Sequence, residues 1–298
     1  MEVLGPFQRV VCGERKIVTT IKEIIEGFAL LNLMNQARTS LSSTWMPLCP
    51  RAQLNLATTL FNGQSFSWRQ VGPHHFANVV LVASDLNSET SHTSKAKSAL
   101  VTLRQAPDDS DVLYRTENEN SPLGLENVRK ALEEYFLLNV DADALFDAWN
   151  EKDGNFLKRT AHLKGTRLLR QPPVETCFSF ICSANNNISR ITGMVENLKK
   201  EYGKLVGKVD ASSLGLVEGG DTFALDSGFY SFPEPEDMCT PGVEQTLREL
   251  GFGYRAGYIA KTAIMLKAKD GGGSYWLHSL RSANYDDAKD SLLELMGS

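Results

Sequence analysis

Residues 165–198 read GTRLLRQPPVETCFSFICSANNNISRITGMVENL. The run from Val174 to Ser183 is apolar on nearly every side, the pattern of a buried helix. Phe180 and Cys182 lie inside it and are assigned to the core. Three consecutive asparagines, Asn185, Asn186 and Asn187, then break the pattern. Ile188, Ile191, Val195 and Leu198 follow at helical spacing, so an amphipathic helix starts after the last of them. An Asn side chain accepts from the free amides of a first helical turn, which suits Asn187 as a cap.

Moving outward, the helical period extends in both directions. Upstream, Leu125, Val128, Leu132, Tyr135 and Phe136 share one face. Ala144, Leu145, Ala148 and Trp149 suggest a second helix and Phe156 to Leu163 a third. Downstream, Thr240 reads as an N-cap with Pro241 at the first helical position, and Tyr258 to Leu266 and Asp286 to Leu295 read as helices. Before residue 122 the period is two. Leu54, Leu56, Thr58 and Leu60 alternate with smaller or polar residues, Asn62-Gly63 marks a tight turn, and Ser65 to Val71 continues in extended form. Ala77 to Ala83, Ala99 to Arg104 and Asp111 to Arg115 are further strands, joined by polar connectors. Strands first and helices afterwards make an α+β fold with an antiparallel sheet. The expected divisions are an extension over 1–44, a sheet-containing part over 45–163 and a helical part over 164–298. In the extension Ile17, Ile21, Ile24, Ile25 and Phe28 stand near helical spacing, but nothing ties them to a site.

Composition narrows the function classes. The 298 residues are 42% hydrophobic and 22% charged, ordinary for a chain that buries a core. No stretch has the length and apolarity of a membrane span, and MEVLGPFQRVVCGERK lacks the apolar run of a secretory signal. Five cysteines without a CxxC pair argue against a disulfide framework or zinc site and for a reducing compartment. His74-His75 has no partner at ligand spacing and reads as a turn. Neither a metal nor a cofactor is expected. The net charge of −5 conceals a gradient: residues 105–153 hold thirteen acidic and four basic side chains, residues 156–204 three acidic and nine basic. The second segment would attract a polyanion and the first repel it, although two solvated faces of opposite sign are the simpler reading of charge alone.

The ungapped text FSFICSANNNISRITGMVE closely resembles the start of the helical domain of eukaryotic 8-oxoguanine DNA glycosylases, members of the helix-hairpin-helix glycosylase superfamily. CPRAQLNL, NGQSFSW, LGFGYRAGYIAKTA and LRSANYDDAKDSLLELMG agree in the same order. The resemblance runs from residue 45 to the end. It implies a sheet domain like the TATA-binding protein, then a helical glycosylase domain. It further implies removal of 8-oxoguanine opposite cytosine from double-stranded DNA by base flipping. Cleavage of the abasic site by Schiff-base elimination would follow. It makes Asn185 the residue that fills the vacated position, supported by Asn186 and Asn187. Arg190 and Arg255 become readers of the orphaned cytosine, Tyr254 an aromatic wedge, and Gly63 the residue whose carbonyl accepts from the hydrogen that oxidation places on guanine N7. Where the family often carries an arginine shortly after that glycine, this chain has Ser67. A monomer acting in the nucleus, and in the mitochondrion as a second compartment, is the matching expectation.

Taken singly, each of these residues has a plainer reading. The asparagines can be only a helix boundary and Gly63 only a turn. The arginines can be solvated, and Tyr254 a core residue with its hydroxyl at the surface. The family continues after LRSANYDDAKDSLLELMG into a hairpin, L-P-G-V-G-x-K, whose Lys is the nucleophile, with an Asp later on. Here the text is Leu295-Met296-Gly297-Ser298, so the resemblance places the catalytic Lys and Asp beyond the last residue. Lys199, Lys200 and Lys204 are read as a solvated helix face. The 298-residue chain is therefore expected not to excise 8-oxoguanine itself. A non-catalytic damaged-DNA-binding fragment or truncated isoform is the alternative.

Overall fold

Five strands and the connections between them build the first half of the molecule. The structure, a computed structural model, describes residues 45–82, 96–117, 124–210, 214 and 228–296. The helical pattern at Ile17 to Phe28 lies outside these residues. Strands β1 (Met46–Pro50), β2 (Arg69–Gly72), β3 (His75–Val82), β4 (Lys97–Arg104) and β5 (Asp111–Thr116) form an antiparallel sheet in the order β1-β5-β4-β3-β2. Period-two alternation sorts its side chains. Phe76, Val80, Val82, Ala99, Val101, Leu103, Val112 and Tyr114 enter one core, while Ala77 and Leu100 enter another on the opposite face. On the first face lie helix α1 (Leu56–Leu60) and helix α2 (Leu125–Tyr135), through Leu56, Leu60, Val128, Leu132 and Tyr135. On the other face, a two-stranded ribbon, β6 (Leu205–Gly207) and β7 (Phe229–Tyr230), brings Phe229 onto the sheet, with Val209 and Leu214 beside it.

The remaining helices are α3 (Ala142–Lys152), α4 (Phe156–Thr160), α5 (Pro173–Ser183), α6 (Ile188–Tyr202), α7 (Val243–Glu249), α8 (Arg255–Lys267), α9 (Gly273–Ser279) and α10 (Tyr285–Met296). A third core gathers Val174, Phe178, Ile181 and Cys182 of α5 with Ile191, Val195 and Leu198 of α6. Ile259, Ala263 and Leu266 of α8 close it.

Four expectations need correction. Leu54 to Leu60 does not form a strand: residues 56–60 are helical. Asn55 caps the turn by accepting from the Thr58 amide at 3.2 Å, and Leu56, Thr59 and Leu60 are the buried side. A short apolar run fits both periods, and the cap decides. The extended stretch after Gly63 starts only at Arg69, and the hairpin turn of the sheet is Pro73-His74, since Gly72 pairs with His75. Phe180 is not core: it is 60% exposed, while Phe178, Ile181 and Cys182 take the inner side of α5. Helix α7 starts at Val243, two residues beyond the position expected from Thr240 and Pro241, because Gly242 (φ +89°) turns the chain before it.

Candidate nucleic-acid interface

Between α5 and α6 only residues 184–187 remain, and the three asparagines there do different work. Asn187 caps α6, its Oδ1 accepting from the Arg190 amide at 3.0 Å. Asn186 turns inward, donating to the Cys182 carbonyl at 3.0 Å and lying 3.3 Å from Met194 Sδ. Its Oδ1 accepts from the Asn187 amide at 3.0 Å. Asn185 takes a left-handed backbone, φ +46°, and is exposed. Asn tolerates that conformation better than most residues, because its short polar side chain bonds locally.

Arg255, the first residue of α8, lies beneath this tip and is only 3% exposed. Its Nη2 donates to the carbonyls of Ala184 and of Asn185, the latter at 3.1 Å. Tyr254 Oη donates to the same Ala184 carbonyl at 3.1 Å, using the second lone pair of that oxygen. With both carbonyls drawn inward, the Asn185 side chain is held at the surface. The Tyr254 ring is half exposed, with the Arg255 guanidinium 4.6 Å from its centre and Tyr258 edge-on at 6.1 Å. Arg190 is exposed and donates to the Gly251 carbonyl at 3.1 Å, tying α6 to the loop that leads into Tyr254. Gly63 has φ +93°, a conformation that strains any side chain. A Cβ there would stand 3.5 Å from Ile188 Cδ1, so Gly63 faces the first residue of α6.

The structure thus brings Gly63, Asn185, Asn186, Asn187, Arg190, Tyr254 and Arg255 around one junction. Arg255 departs from its expected exposure: it engages main-chain carbonyls rather than solvent. Sequence reasoning missed Ile188, placed on the apolar stripe but half exposed beside Gly63. It also missed the anchors of the Gly63 segment. Gln64 donates to the Arg167 carbonyl at 2.9 Å and accepts from the Leu169 amide at 3.1 Å. Arg167 is itself buried, with Nε on the Gln53 carbonyl at 2.6 Å and Nη1 on the carbonyls of Leu137 and Val140 at 2.9 and 2.6 Å. A buried arginine carries no mark in the sequence that separates it from a solvated one. The solvated reading of Lys199 is also overturned. Lys200 and Lys204 are exposed, but Lys199 is 2% exposed, because it follows Val195 by one helical turn on the core side of α6.

Comparison with known proteins finds proteins similar to this chain in sequence and in fold. Residues 47–177 match the family described as 8-oxoguanine DNA glycosylase, N-terminal domain. The chain is 34% identical over 254 residues to an N-glycosylase/DNA lyase OGG1 of Arabidopsis thaliana, covering 85% of this chain and 60% of that protein. It is 33% identical over 263 residues to an N-glycosylase/DNA lyase of Saccharomyces cerevisiae, covering 83% and 60%. It therefore spans 60% of the length of these two curated relatives. In fold it is similar to a Clostridium acetobutylicum 8-oxoguanine glycosylase/lyase, solved in complex with double-stranded DNA containing cytosine opposite 8-oxoguanine. The TM-score is 0.59 at 22% identity, over 83% of this chain and 69% of that one. A 3-methyladenine DNA glycosylase from Archaeoglobus fulgidus shares the fold at 0.55 and 15% identity, over 84% and 73%. Residues 47–177 are thus similar in sequence to the N-terminal domain of 8-oxoguanine DNA glycosylases, and the chain shares the fold of both solved glycosylases.

Proposed function

We propose that this chain acts in base-excision repair as part of an 8-oxoguanine DNA glycosylase and abasic-site lyase, engaging duplex DNA with 8-oxoguanine opposite cytosine. The observation that carries the reading is the Asn185 tip, left-handed, exposed and fixed from below by Arg255. A base inside a stacked duplex must be swung out before its sugar carbon is attacked, at a cost of a few kcal/mol. Asn185 fills the gap, Tyr254 wedges the neighbouring step, and Arg190 donates to the orphaned cytosine, which offers acceptors on that edge. The Gly63 carbonyl accepts from the N7 hydrogen that normal guanine lacks. Monomeric action in the nucleus, and in the mitochondrion as a second compartment, belongs to the same proposal.

Gel shifts at fixed salt test the reading. The chain is expected to prefer 8-oxoguanine:cytosine over guanine:cytosine duplex. Arg190→Ala should reduce its discrimination between cytosine and adenine opposite the lesion by roughly tenfold, the scale of one well-placed base contact. Equal affinity for damaged and undamaged duplex would sink the assignment.

A further inference from the structure

Gly63 is the residue least able to hold its own carbonyl in place. It has no Cβ, so nothing on the residue itself limits rotation of the peptide that follows, and its φ is +93°. A carbonyl that is to meet one hydrogen of one base must nevertheless keep a single direction. The neighbouring side chains supply that restraint.

The Gly63 carbonyl and the Gln64 amide belong to one planar trans peptide and point opposite ways. Asn62 Oδ1 accepts from that Gln64 amide at 3.1 Å. The Asn62 side chain therefore holds one end of the plane and turns the other end, the Gly63 carbonyl, away from itself. Among the described residues no main-chain amide donates to the Gly63 carbonyl. Gln64 is clamped on its other groups. Its side-chain amide donates to the Arg167 carbonyl at 2.9 Å and accepts from the Leu169 amide at 3.1 Å, spanning Leu168 as a paired strand would. Gln171 Nε2 donates to the Gln64 carbonyl. The stretch 167–171 is itself fixed, the Arg167 amide donating to Thr59 Oγ1 at 3.2 Å and the Arg170 amide to the Tyr135 carbonyl at 2.8 Å. Gln64 thus stands on a held support, and Asn62 steers the plane that Gln64 shares with Gly63. Asn62 is exposed, so the cores do not depend on it.

We propose that Asn62 is a positioning residue for lesion recognition: through the Gln64 amide it sets the direction in which the Gly63 carbonyl is presented to the base. This role rests on the assignment of Gly63 to the N7 hydrogen of 8-oxoguanine. What counts at position 62 is a side-chain acceptor within reach of the Gln64 amide. Aspartate can therefore replace asparagine, and alanine cannot.

The experiment compares the wild type, Asn62→Ala and Asn62→Asp by thermal melting and by gel-shift affinity for three duplexes at fixed salt. Two carry 8-oxoguanine or guanine opposite cytosine. The third carries a tetrahydrofuran abasic analogue opposite cytosine and offers Gly63 no base to read. Asn62→Ala is expected to lower the ratio of 8-oxoguanine to guanine affinity roughly three- to tenfold, the scale of one neutral hydrogen bond. Its affinity for the abasic analogue and its melting temperature should stay at the wild-type level, which a general loosening of the loop would not allow. Asn62→Asp should bind all three duplexes more weakly, because its charge meets phosphate, yet keep the wild-type ratio. An alanine variant that keeps the ratio overturns the role of Asn62, as does one that melts well below wild type or an aspartate variant that loses the ratio as alanine does. A wild type that prefers the lesion beside an alanine variant that also prefers it leaves the Gly63 assignment standing and removes Asn62 alone. A wild type without lesion preference removes both.

Discussion

His75 shows how one side chain is set by its surroundings. It opens β3, its ring 5.6 Å from that of Trp45, which also lies beneath the guanidiniums of Arg104 and Arg115 at 5.2 and 4.9 Å. Burial, then the charges of Arg104 and Arg115, lower its pKa from 6.5 to about 4, with Asp109 opposing. Between those values the unfolded chain binds a proton that the folded one refuses. Stability is therefore complete above pH 6.5 and falls as the pH drops toward 4. After allowance for solvent screening the loss is about 1–2 kcal/mol. Urea unfolding at pH 7 and at pH 4 should show that loss in the wild type and a smaller one in His75→Gln; parallel pH profiles would exclude His75 as the cause. The pair His74-His75 was legible as a turn only for its first member, since the neutral, buried state of the second depends on strands β4 and β5.

Helix α5 illustrates the element scale. Its sequence is apolar on nearly all sides, so periodicity locates the helix but leaves its rotation undetermined. In the structure Phe178 is fully buried in the helical core and Phe180, two residues on, is at the surface. Phe178→Ala should cost about 3–5 kcal/mol through lost burial and the cavity left behind. Phe180→Ser should change stability by no more than about 0.5 kcal/mol. Denaturant titrations of the two variants decide the point, and comparable losses would mean that α5 is rotated from the orientation described. The same limit applies to Leu56–Leu60, where five residues of apolar text fit either a strand or a capped turn of helix.

For the whole molecule the governing quantity is the placement of charge. The net charge of −5 opposes DNA binding, yet seven exposed basic residues fall between residues 156 and 204, the stretch that contains the Asn185 tip, besides the buried Arg167 and Lys199. Phosphate contacts release counterions, so affinity for any duplex should fall by about tenfold or more between 50 and 200 mM salt. The preference for the lesion should change far less, because the contacts assigned to Asn185 and Gly63 are uncharged. Fluorescence anisotropy with paired duplexes measures both, and a preference that disappears with salt would place recognition in charge rather than in shape and hydrogen bonding.

Sequence by itself determined the α+β class, the central strands and most of the helices after residue 124, the capped junction at Asn187, and which residues gather at the junction, since caps, periods and an idiosyncratic run of text are local properties of the chain. Tertiary structure alone decided which side of α5 is dry, that Arg255 holds main-chain carbonyls, and that Lys199 and Arg167 are buried. The reason is physical: a charged side chain looks the same in the text whether water or a carbonyl stabilises it. The partner comes from segments distant in the chain, brought near only when the cores close.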